Sequence, residues 1–590
     1  MEDSLQLRGV TPPNSVEAER SVLGAMLQDG GAVLQAAEEL EENDFYTPAH
    51  REIFSGMIQL HRNQSPVDLV TVDAELSRRG SLEGVGGTAY LIELSQYVPT
   101  TANVKAYIRI VLEKSTLRKL IRASNEISQE CYSQQNPLQE TLNHAEKSIF
   151  DIVMHLSLIH ILLDFGMCTT PAMYMSILTP GFQPDGAIMI TASHHPYDKN
   201  GLKFFLRDGG LEGAEVAQLL QDASTLTPEN MPFAGSITAK AFLPTYMEQL
   251  KDRIRKGLET DLAKPLLGLH VVVDAGNGAG GFYAELLESL GAWIEGSQFL
   301  EPDGHFPNHI PNPENAQAMA SLREAVLRVG ADLGVIFDAD CDRAAIVDAD
   351  GREINRNRLI ALISAILLDE KPGQTIVTDS VTSSGLKRFI NDWGGEHYRY
   401  KRGYRNVIDE AIRLNAEGVE CPLAIETSGH AALKENHFLD DGMYLVTVLI
   451  VRAMKLKQQG QTLGSLIADL QEPVESVELR LNIQEEDFRE AGKRAIQKVL
   501  DYANAAEKWH IAPDNREGVR ISFDLDGGMD NGWFLLRLSV HDPVLPLNVE
   551  SDVPGGVKQM LQSLYQVLLG CTGIDLSPIE KMLQGDKTAQ

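Results

Sequence analysis

The sequence predicts a multidomain protein with an all-α helical bundle at its N-terminal end, followed by α/β domains and a C-terminal α+β domain. Residues 1 to about 155 place apolar side chains at helical spacing almost throughout. Beyond the middle of the chain, short apolar runs that suit strands alternate with helical patterns. With 590 residues, the chain is also far too long for a single hydrophobic core.

The composition is that of an ordinary globular protein with a strong acidic excess. The chain has 52 basic and 83 acidic residues and a net charge of −31, which opposes non-specific binding to nucleic acid. Its five cysteines show neither a metal-binding spacing nor a disulfide framework, which predicts a reducing, cytoplasmic location. The first residues do not read as a signal peptide, and the apolar run at 156–165 is too short to cross a bilayer, so no membrane contact is expected.

Two helix starts can be located in the N-terminal part. Asn14 is predicted to cap the first helix, with Glu17 three residues on completing a capping box. Thr47 is predicted to cap a second helix, with Pro48 in its first position. A later helix carries clustered basic residues, which are expected to form a solvated face rather than a nucleic-acid site: Lys114, Arg118, Lys119 and Arg122.

These segments, with Asp68-Leu-Val-Thr-Val-Asp-Ala-Glu-Leu76 and Tyr97-Val-Pro-Thr-Thr-Ala-Asn103, resemble the N-terminal domain of the replicative DNA helicase DnaB. The resemblance covers residues 1–155, and residues 145–152 look like the beginning of the helicase linker. It implies a small helical bundle that forms collars by self-association and contacts a primase or helicase. No Gly-x-x-x-x-Gly-Lys-Ser/Thr loop occurs in the chain, so helicase activity is not predicted.

Residues 156–163 form a junction at which the pattern changes abruptly. The string His155-Leu-Ser-Leu-Ile-His-Ile-Leu162 fits neither neighbour and has no Gly, Pro or Ser-rich linker composition. It resembles translated sequencing-adapter sequence, which favours a chimeric gene model over a natural fusion. A short buried helix or strand is the alternative interpretation.

Beyond the junction, an acidic loop carries groups suited to metal binding. Asp338-Ala-Asp-Cys-Asp-Arg343 spaces three carboxylates at i, i+2 and i+4, and alternate side chains of an extended loop point the same way. Asp338, Asp340 and Asp342 are therefore predicted to bind one Mg²⁺, which prefers oxygen ligands and leaves room for a phosphate oxygen. A polar turn is the alternative, but Arg343 and the apolar strand predicted at residues 333–337 favour the metal site.

A second segment, Thr191-Ala-Ser-His-His-Pro196, offers the hydroxyl of Ser193, with His194 and Lys203 close by in sequence. A serine that carries phosphate, a metal that holds the phosphate and a nearby arginine together make a phosphoryl-transfer site. The apolar run Ala187-Ile-Met-Ile190 is predicted to be a buried strand that ends at this loop.

The two segments resemble the α-D-phosphohexomutase family, which includes phosphoglucomutases and phosphomannomutases. The resemblance extends from residue 164 to the end and includes the strings Glu426-Thr-Ser-Gly-His430 and Arg537-Leu-Ser-Val-His-Asp-Pro543. The glycine turn Gly276-Asn-Gly-Ala-Gly-Gly281 matches a dinucleotide-binding pattern, but this family carries a similar turn without a nucleotide. The first mutase domain lacks its beginning, namely its first strand, that strand's helix and an arginine near the active site.

The resemblance implies four mutase domains after the N-terminal domain at residues 1–155 and the junction at 156–163. The partial first domain, with the catalytic serine loop, covers 164–238, and the second, with the metal loop, covers 239–372. The third, with the sugar-binding loop, covers 373–472, and the fourth, with the phosphate-binding loop, covers 473–590.

The family's site residues carry over to this sequence position by position. Ser193 is expected to carry the phosphate and to contact the metal, His194 and Lys203 to transfer protons, and Arg343 to lie beside the phosphoserine. A pKa of Lys203 lowered by burial is expected to help proton transfer. The residues expected to bind substrate are Lys401, Glu426, Ser428, Arg537, Ser539 and His541, the last of which stands where the family has threonine.

The implied reaction interconverts hexose 1-phosphate and hexose 6-phosphate through phosphoserine and a bound 1,6-bisphosphate. Mg²⁺ and glucose or mannose 1,6-bisphosphate are the expected cofactors, and the fourth domain is expected to move as a lid. The missing part of the first domain is expected to impair activity. The alternative is a replication-type interaction module without turnover, and the choice between glucose and mannose substrates stays open.

Overall fold

The computed structural model describes residues 11–63, 65–101, 103–133, 161–193, 195–211, 213–225, 236–539 and 542–585. Among the predicted features, His194, His541, the linker segment 145–152 and junction residues 156–160 lie outside the described residues. The chain divides into two compact units, Met1–Asp164 with Ser224–Ala239, and Phe165–Ala223 with Lys240–Gln590. No helix in the described ranges is long and apolar enough to cross a membrane.

The N-terminal part folds as the predicted all-α bundle. Its core is formed by large apolar side chains such as Leu23, Phe45, Phe54 and Leu91, all of them fully or almost fully buried. The helices are α1 (Val16–Gln28), α2 (Gly30–Glu39), α3 (Pro48–Arg62), α4 (Leu69–Arg79), α5 (Gly87–Ser95) and α6 (Val104–Ser133).

The helix starts are close to those predicted, with one correction. Helix α1 is capped by Ser15, whose hydroxyl accepts a hydrogen bond from the Ala18 N–H at 3.3 Å, whereas the side chain of Asn14 donates to Pro12 O. The predicted cap was therefore one residue too early, since both residue types suit this position. Thr47 occupies the N-cap position of α3 and Pro48 its first turn, as predicted, but the Thr47 side chain accepts no capping hydrogen bond.

The basic residues of α6 do not form a uniformly solvated face. Arg118 is buried and donates hydrogen bonds to Pro13 O at 2.8 Å and Asp44 O at 2.6 Å. Lys119 Nζ lies 2.9 Å from Asp44 Oδ1. The expectation of a solvated face is thus wrong for Arg118, because its guanidinium satisfies backbone carbonyls at the start of the bundle.

The first unit also contains a two-stranded parallel sheet, in which β1 (Ile161–Asp164) pairs with β5 (Ser236–Ala239). Three residues of the predicted junction, 161–163, belong to β1. In this stretch the chain is therefore a strand, but it is not the buried one considered as the alternative, because Leu162 is 51% exposed.

The second unit begins with helix α7 (Thr170–Leu178) and a three-stranded antiparallel sheet. The strands β2 (Ala187–Ile190), β3 (Leu202–Leu206) and β4 (Gly209–Gly210) are in the order β2-β3-β4, and helix α8 (Gly213–Thr225) follows. The prediction that residues 187–190 form a buried strand is wrong for half of its residues. Ile188 is 50% exposed and Ile190 is 70% exposed, so only one face of β2 is covered.

The next two sheets are each flanked by helices, as α/β domains require. The first has the order β6-β7-β8-β9 and the second β11-β10-β12-β13, and each combines parallel and antiparallel pairs. The strands are β6 (Val271–Asp274), β7 (Leu333–Phe337), β8 (Ala344–Asp348), β9 (Glu353–Ile354), β10 (Thr375–Thr378), β11 (Glu396–Arg399), β12 (Leu423–Ile425) and β13 (Ala431–Leu433). The helices are α9 (Leu243–Gly257), α10 (Phe282–Ser289), α11 (Ala316–Val329), α12 (Asn357–Glu370), α13 (Ser384–Asp392), α14 (Tyr404–Ala416) and α15 (Gly442–Gln458).

The C-terminal part is the predicted α+β domain. Its five-stranded antiparallel sheet has the order β14-β18-β17-β16-β15. The strands are β14 (Glu475–Asn482), β15 (Trp509–Ile511), β16 (Val519–Phe523), β17 (Gly532–Leu536) and β18 (Val544–Ser551), and the helices are α16 (Phe488–Ala503), α17 (Gly556–Leu568) and α18 (Ser577–Gln584).

Candidate active site

The acidic loop gathers its three carboxylates at the end of β7. Every residue of β7 is buried, and the chain turns immediately after it, with Cys341 in the left-handed region at φ 67°. One oxygen from each of Asp338, Asp340 and Asp342 lies within 4.8 Å of the others. The prediction that these side chains converge is confirmed, although a turn rather than an extended strand brings them together.

Arg343 closes this loop by binding its first carboxylate. The Arg343 N–H donates to Asp338 Oδ1 at 3.1 Å, and Nε donates to Asp338 Oδ2 at 3.0 Å. Its Nη1 donates to Asn312 Oδ1 at 3.3 Å. Charge-assisted contacts of this kind hold the loop rigid.

The three carboxylates repel one another inside the protein. Burial and the charges of Asp342 and Asp340 raise the pKa of Asp338 well above its usual value. Burial alone would also raise the pKa of Asp342, but the nearby His430 and Lys203 lower it instead. In the described residues, Asp340 Oδ1 and Asp342 Oδ1 are buried and have no hydrogen-bond partner. Two unsatisfied buried carboxylate oxygens beside a third carboxylate are what a hard cation requires.

Ser193 lies at the edge of this cluster. Its Oγ is 3.3 Å from Asp338 Oδ2, and its N–H donates to Thr191 Oγ1 at 2.9 Å. The residue has a φ of 51°, a strained conformation for a non-glycine residue that is common at functional sites. The structure thus brings the predicted serine and the acidic loop together across 145 residues of chain.

Lys203 bridges two of the acidic residues from strand β3. Its Nζ lies 2.7 Å from Asp340 Oδ2 and 2.6 Å from Asp342 Oδ2. Burial alone would lower the pKa of Lys203, but the charges of Asp342 and Asp340 outweigh burial and raise it. The expected burial-lowered pKa is therefore wrong for this arrangement, in which Lys203 holds its proton firmly.

Thr170 and Asn312 also support this cluster through hydrogen bonds. Neither residue is among the predicted site residues. The Thr170 hydroxyl donates to Asp340 Oδ2 at 2.6 Å, and the Thr170 N–H donates to Asp340 O at 3.0 Å. Thr170 is buried at the start of α7 and orients the middle ligand. Asn312 accepts a hydrogen bond from Arg343 and in this way orients the arginine. Neither contact could be found from sequence, because each partner lies in a separate part of the chain.

The glycine turn that resembles a dinucleotide-binding pattern packs tightly against this loop. A Cβ on Gly278 would lie 2.6 Å from both Cα and O of Ala339, which stands between two of the metal-loop aspartates. A Cβ on Gly281 would likewise overlap the carbonyl group of Leu300. Close backbone approach therefore explains these glycines without a nucleotide.

The predicted sugar-binding loop, residues 426–430, directly adjoins the acidic loop. Residues Arg343 and His430 form an isolated antiparallel bridge. Ser428 Oγ donates to Glu426 Oε2 at 3.2 Å, and the Gly403 N–H donates to Glu426 Oε1 at 2.5 Å. Burial and the neighbouring Asp379 raise the pKa of Glu426 to about 7.

His430 is a further functional candidate. It belongs to the string Glu426-Thr-Ser-Gly-His430, which carries the family resemblance, but it is not among the predicted site residues. Its Nδ1 lies 2.6 Å from Asp440 Oδ2 and 4.0 Å from Asp342 Oδ1. Burial would lower the pKa of His430, but Asp440 and Asp342 raise it to about 9. The ring also stacks on Tyr404, with centroids 5.2 Å apart. The histidine is thus a protonated group beside the predicted metal ligands.

The predicted substrate residues of the last two domains differ in their burial and in their contacts. Arg537 follows β17, and its Nε is buried without a hydrogen-bond partner in the described part of the chain. Ser539 Oγ accepts from the Asp542 N–H at 3.3 Å. Lys401, in contrast, is exposed, with its Nζ 6.0 Å from the ring centroid of Tyr400, so the structure does not bring it into the cluster.

Family models match most of the chain. Residues 11–113 match the DnaB-like helicase N terminal domain. Three α/β/α domains of phosphoglucomutase/phosphomannomutase match in order, domain I over residues 143–229, domain II over 244–351 and domain III over 355–474. The match to domain I begins at residue 143. From the sequence, the partial domain is expected to begin later, at residue 164.

Individual relatives are similar to parts of the chain. A phosphomannomutase/phosphoglucomutase of Pseudomonas syringae is 30% identical over 418 residues, which cover 70% of this chain and 82% of the relative. The crystal structure of a phosphoglucomutase/phosphomannomutase family protein from Burkholderia thailandensis is 26% identical, with a TM-score of 0.58, covering 71% of this chain and 86% of that chain. The N-terminal domain of DnaB helicase from Mycobacterium tuberculosis is 40% identical over 24% of this chain and 99% of that chain, with a TM-score of 0.23.

The chain thus combines a DnaB-like N-terminal domain with a mutase region in which the three matched domains follow in order and one loop carries an acidic cluster. From the extent of the shared sequence, the chain belongs to the phosphoglucomutase/phosphomannomutase family.

Proposed function

We propose that the chain moves a phosphoryl group between O1 and O6 of a hexose phosphate through phosphorylated Ser193. The observation that carries this proposal is the 3.3 Å contact of Ser193 Oγ with Asp338 Oδ2 at the edge of a three-carboxylate cluster. In the first half-reaction the bond from phosphorus to Ser193 Oγ breaks and a bond from phosphorus to the free sugar hydroxyl forms. The resulting 1,6-bisphosphate reorients within the site and returns its other phosphoryl group to Ser193.

The acidic loop has the donor set for Mg²⁺. Asp338, Asp340 and Asp342 would hold the ion, with Ser193 contacting it through its oxygen. The two buried, unpartnered oxygens of Asp340 and Asp342 support this assignment, because such atoms are costly without a cation or proton. When bound, the ion supplies neutralisation of the negative charge on the transferring phosphoryl group.

Lys203 and His430 hold protons at the site. Asp340 and Asp342 hold the proton on Lys203, so its delivery to the Ser193 oxygen as the phosphoryl group leaves would require these contacts to weaken. Since the pKa of His430 is about 9, it is also protonated at neutral pH and suits a donor role. The proton released by the attacking sugar hydroxyl needs an acceptor, and His194 remains the predicted one.

Substrate binding is assigned to the loops of the last two domains. Glu426 and Ser428, which contact each other at 3.2 Å, would bind ring hydroxyls. Arg537, Ser539 and His541 would bind the phosphate that is not being transferred, since a buried guanidinium with an unused donor suits a phosphate. Lys401 remains a predicted contact without a supporting position.

The test of this function is the covalent state of Ser193. Intact-mass and fragment spectra of the expressed chain are expected to show phosphate on Ser193, and Ser193→Ala is expected to remove both the phosphate and turnover of glucose 1-phosphate. The control is Ser563→Ala on helix α17, where the Ser563 hydroxyl donates to Gln559 O. Phosphate retained on Ser193→Ala protein, or turnover without Ser193, would refute the mechanism. Adding glucose or mannose 1,6-bisphosphate should activate only the wild-type chain and this control.

A second function is proposed for residues 1–155, because residues 11–113 match the DnaB-like domain and fold as a bundle with its own core. This part would self-associate or bind a primase or helicase, without an ATPase motor. Light scattering of the full chain and of residues 1–155 tests self-association. A strictly monomeric state of both, with no binding to a DnaG-type primase or a DnaB-type helicase, would contradict this role.

A further inference from the structure

The turn between β11 and α14 carries Arg402, a residue that the sequence reasoning passed over in favour of its neighbour Lys401. The backbone of this turn is held from two sides. The Arg402 N–H donates to Glu517 Oε2 at 3.1 Å, and the Gly403 N–H donates to Glu426 Oε1 at 2.5 Å. Arg402 is therefore fixed between the sugar-binding loop and the C-terminal domain.

Glu517 also places this turn next to Arg537. The residue after it, Gly518, has a φ of 55°, and a Cβ on Gly518 would lie only 2.8 Å from the Cα of Arg537. Glu517 and Arg537 are thus on chain segments in direct contact. Since Glu517 binds the backbone of Arg402, the turn that carries Arg402 and the segment that carries Arg537 both lie next to Glu517 and Gly518.

Neither guanidinium has a hydrogen-bond partner among the described residues. Within the described ranges, the side chains of Arg402 and Arg537 donate no hydrogen bond, and Arg537 Nε is buried. Arg402 is half-buried, whereas Lys401 is exposed. Two planar guanidinium groups with unused N–H donors match the geometry of a phosphate, which accepts several charge-assisted hydrogen bonds at once.

The electrostatics agree with this geometry. Burial lowers the pKa of Arg537, the negative charge of Glu517 raises it, and the positive charge of Arg402 lowers it. Burial would lower the pKa of Arg402 as well, but Asp379 and Glu426 raise it. Asp379 and Glu426 therefore favour the charged form of Arg402. The positive charge of Arg402 in turn repels that of Arg537. An anion between the two arginines would remove that repulsion.

We propose that Arg402 is a second arginine of the phosphate site and, with Arg537, binds the phosphate ester that is not being transferred. This inference rests on the proposed function, because it assigns the phosphate end of a hexose phosphate to this site. Arg402 would act as a positioning residue that links the phosphate to the turn bound by Glu426. A purely structural role, the neutralisation of Asp379 and Glu426, is the competing explanation.

Equilibrium binding separates these roles without turnover. In full-length Ser193→Ala protein, calorimetric titration with glucose 6-phosphate is compared with titration with glucose. Arg402→Gln is expected to weaken glucose 6-phosphate binding about tenfold or more, since it removes charge-assisted hydrogen bonds. Arg402→Lys should recover part of this loss, and Lys493→Gln, an exposed cation on helix α16, should bind like the parent. Binding of glucose should change little in all three variants.

A double variant gives a second readout. If both arginines bind one phosphate, Arg402→Gln with Arg537→Gln should weaken binding by less than the product of the single effects. Equal losses for glucose and glucose 6-phosphate in Arg402→Gln would overturn the proposal, as would glucose 6-phosphate binding unchanged from the parent. A parent protein that binds no glucose 6-phosphate would overturn it too. Intact glucose 6-phosphate binding in a wild-type chain without turnover would instead contradict the proposed function alone.

Discussion

Lys203 Nζ lies 2.6 Å from Asp342 Oδ2, so a lysine ammonium neutralises one of the carboxylates expected to bind the metal. The same ammonium lies 2.7 Å from Asp340 Oδ2. A lysine and a divalent cation therefore compete for the same oxygens. Because the carboxylates hold the proton on Lys203, weakening these contacts should also make the lysine a stronger acid.

The first prediction is that Lys203→Met binds divalent cations more tightly than wild-type protein, although its turnover falls at least about 100-fold. The cation no longer displaces an ammonium, but proton transfer is lost. Paramagnetic Mn²⁺ titration measures the affinity, and a coupled assay measures turnover. Lys199→Met, an exposed lysine of the same loop, should behave like wild type. Weaker Mn²⁺ binding in Lys203→Met would show that the lysine does not compete.

The second prediction is that Asp340→Ala removes Mg²⁺ dependence together with activity while the fold persists. The loss of one of three anionic ligands is expected to lower turnover by at least about 100-fold. Calorimetric titration with Mg²⁺ and circular dichroism provide the two measurements. Asp350→Ala, in the exposed turn after β8, is the matched control. Near-normal turnover in Asp340→Ala would show that the acidic loop does not bind the catalytic metal.

The third prediction concerns the contact of Gly278 with the acidic loop. A Cβ at Gly278 would lie 2.6 Å from the Ala339 backbone, so Gly278→Ala must displace the loop. We expect a loss of about 1–3 kcal/mol in the free energy of unfolding and about tenfold weaker Mn²⁺ binding. Gly304→Ala, where a Cβ would meet no atom within 4 Å, is the control. Unchanged metal affinity in Gly278→Ala would mean that the glycine turn does not position the ligands.

Local sequence patterns predicted the parts of the fold that depend on local physics. The apolar run 333–337 is strand β7 to the residue, and the acidic loop follows it as predicted. The Asn14 cap failed by one position because Ser15 competes for the same role. The burial of β2 failed for a different reason, since an apolar pattern shows which strands could be buried but not whether a covering layer is present.

The site was predicted less completely because its contacts join distant parts of the chain. The aspartates and Ser193 could be named from their own strings, but the Thr170 hydroxyl on Asp340 and the Glu517 carboxylate on Arg402 depend on tertiary structure. The pKa of Lys203 was predicted in the wrong direction for the same reason. Burial was foreseen, but the two carboxylates that outweigh it were not.

The fourth prediction is a pH dependence that comes from Glu426. Its pKa is raised from 4.5 to about 7, so the folded chain keeps a proton that the unfolded chain loses near its ordinary pKa. Stability should therefore fall as pH rises from about 4.5 through about 7, and Glu426→Gln should abolish that decline. The midpoint belongs jointly to Glu426 and its neighbour Asp379.

Ionisation of Glu426 should strengthen substrate binding as pH rises, whereas it lowers the stability of the fold. The carboxylate form accepts hydrogen bonds from ring hydroxyls, so the KM of wild type should fall as pH rises through about 7, whereas the KM of Glu426→Gln should be higher and nearly constant. Chemical denaturation and steady-state kinetics at several pH values measure both effects. The surface variant Glu370→Gln serves as the control, and a KM profile in Glu426→Gln that matches wild type would exclude this carboxylate.

The last prediction concerns the first mutase domain, which is expected from the sequence to lack its beginning. The exposed face of β2 and β3 carries Ile188, Ile190, Leu202 and Leu206, which are 50%, 70%, 57% and 47% exposed. Side chains of this type are normally covered by another layer, and an uncovered apolar sheet face favours aggregation. The predicted catalytic serine loop follows β2 directly, so its position depends on this partly exposed sheet.

We therefore expect the 590-residue chain to be poorly soluble or far less active than a protein given a complete first domain. A displacement of about 1 Å at the serine loop can reduce the rate about 100-fold. Residues 1–155 alone should remain a soluble helical domain, because the bundle has its own core. Size-exclusion chromatography and glucose 1-phosphate turnover, with Mg²⁺ and a trace of the 1,6-bisphosphate, compare the proteins. A monodisperse full-length chain with ordinary enzyme rates would support a natural fusion, whereas aggregation relieved by replacing Ile188 and Ile190 with Thr would identify the uncovered face as its cause.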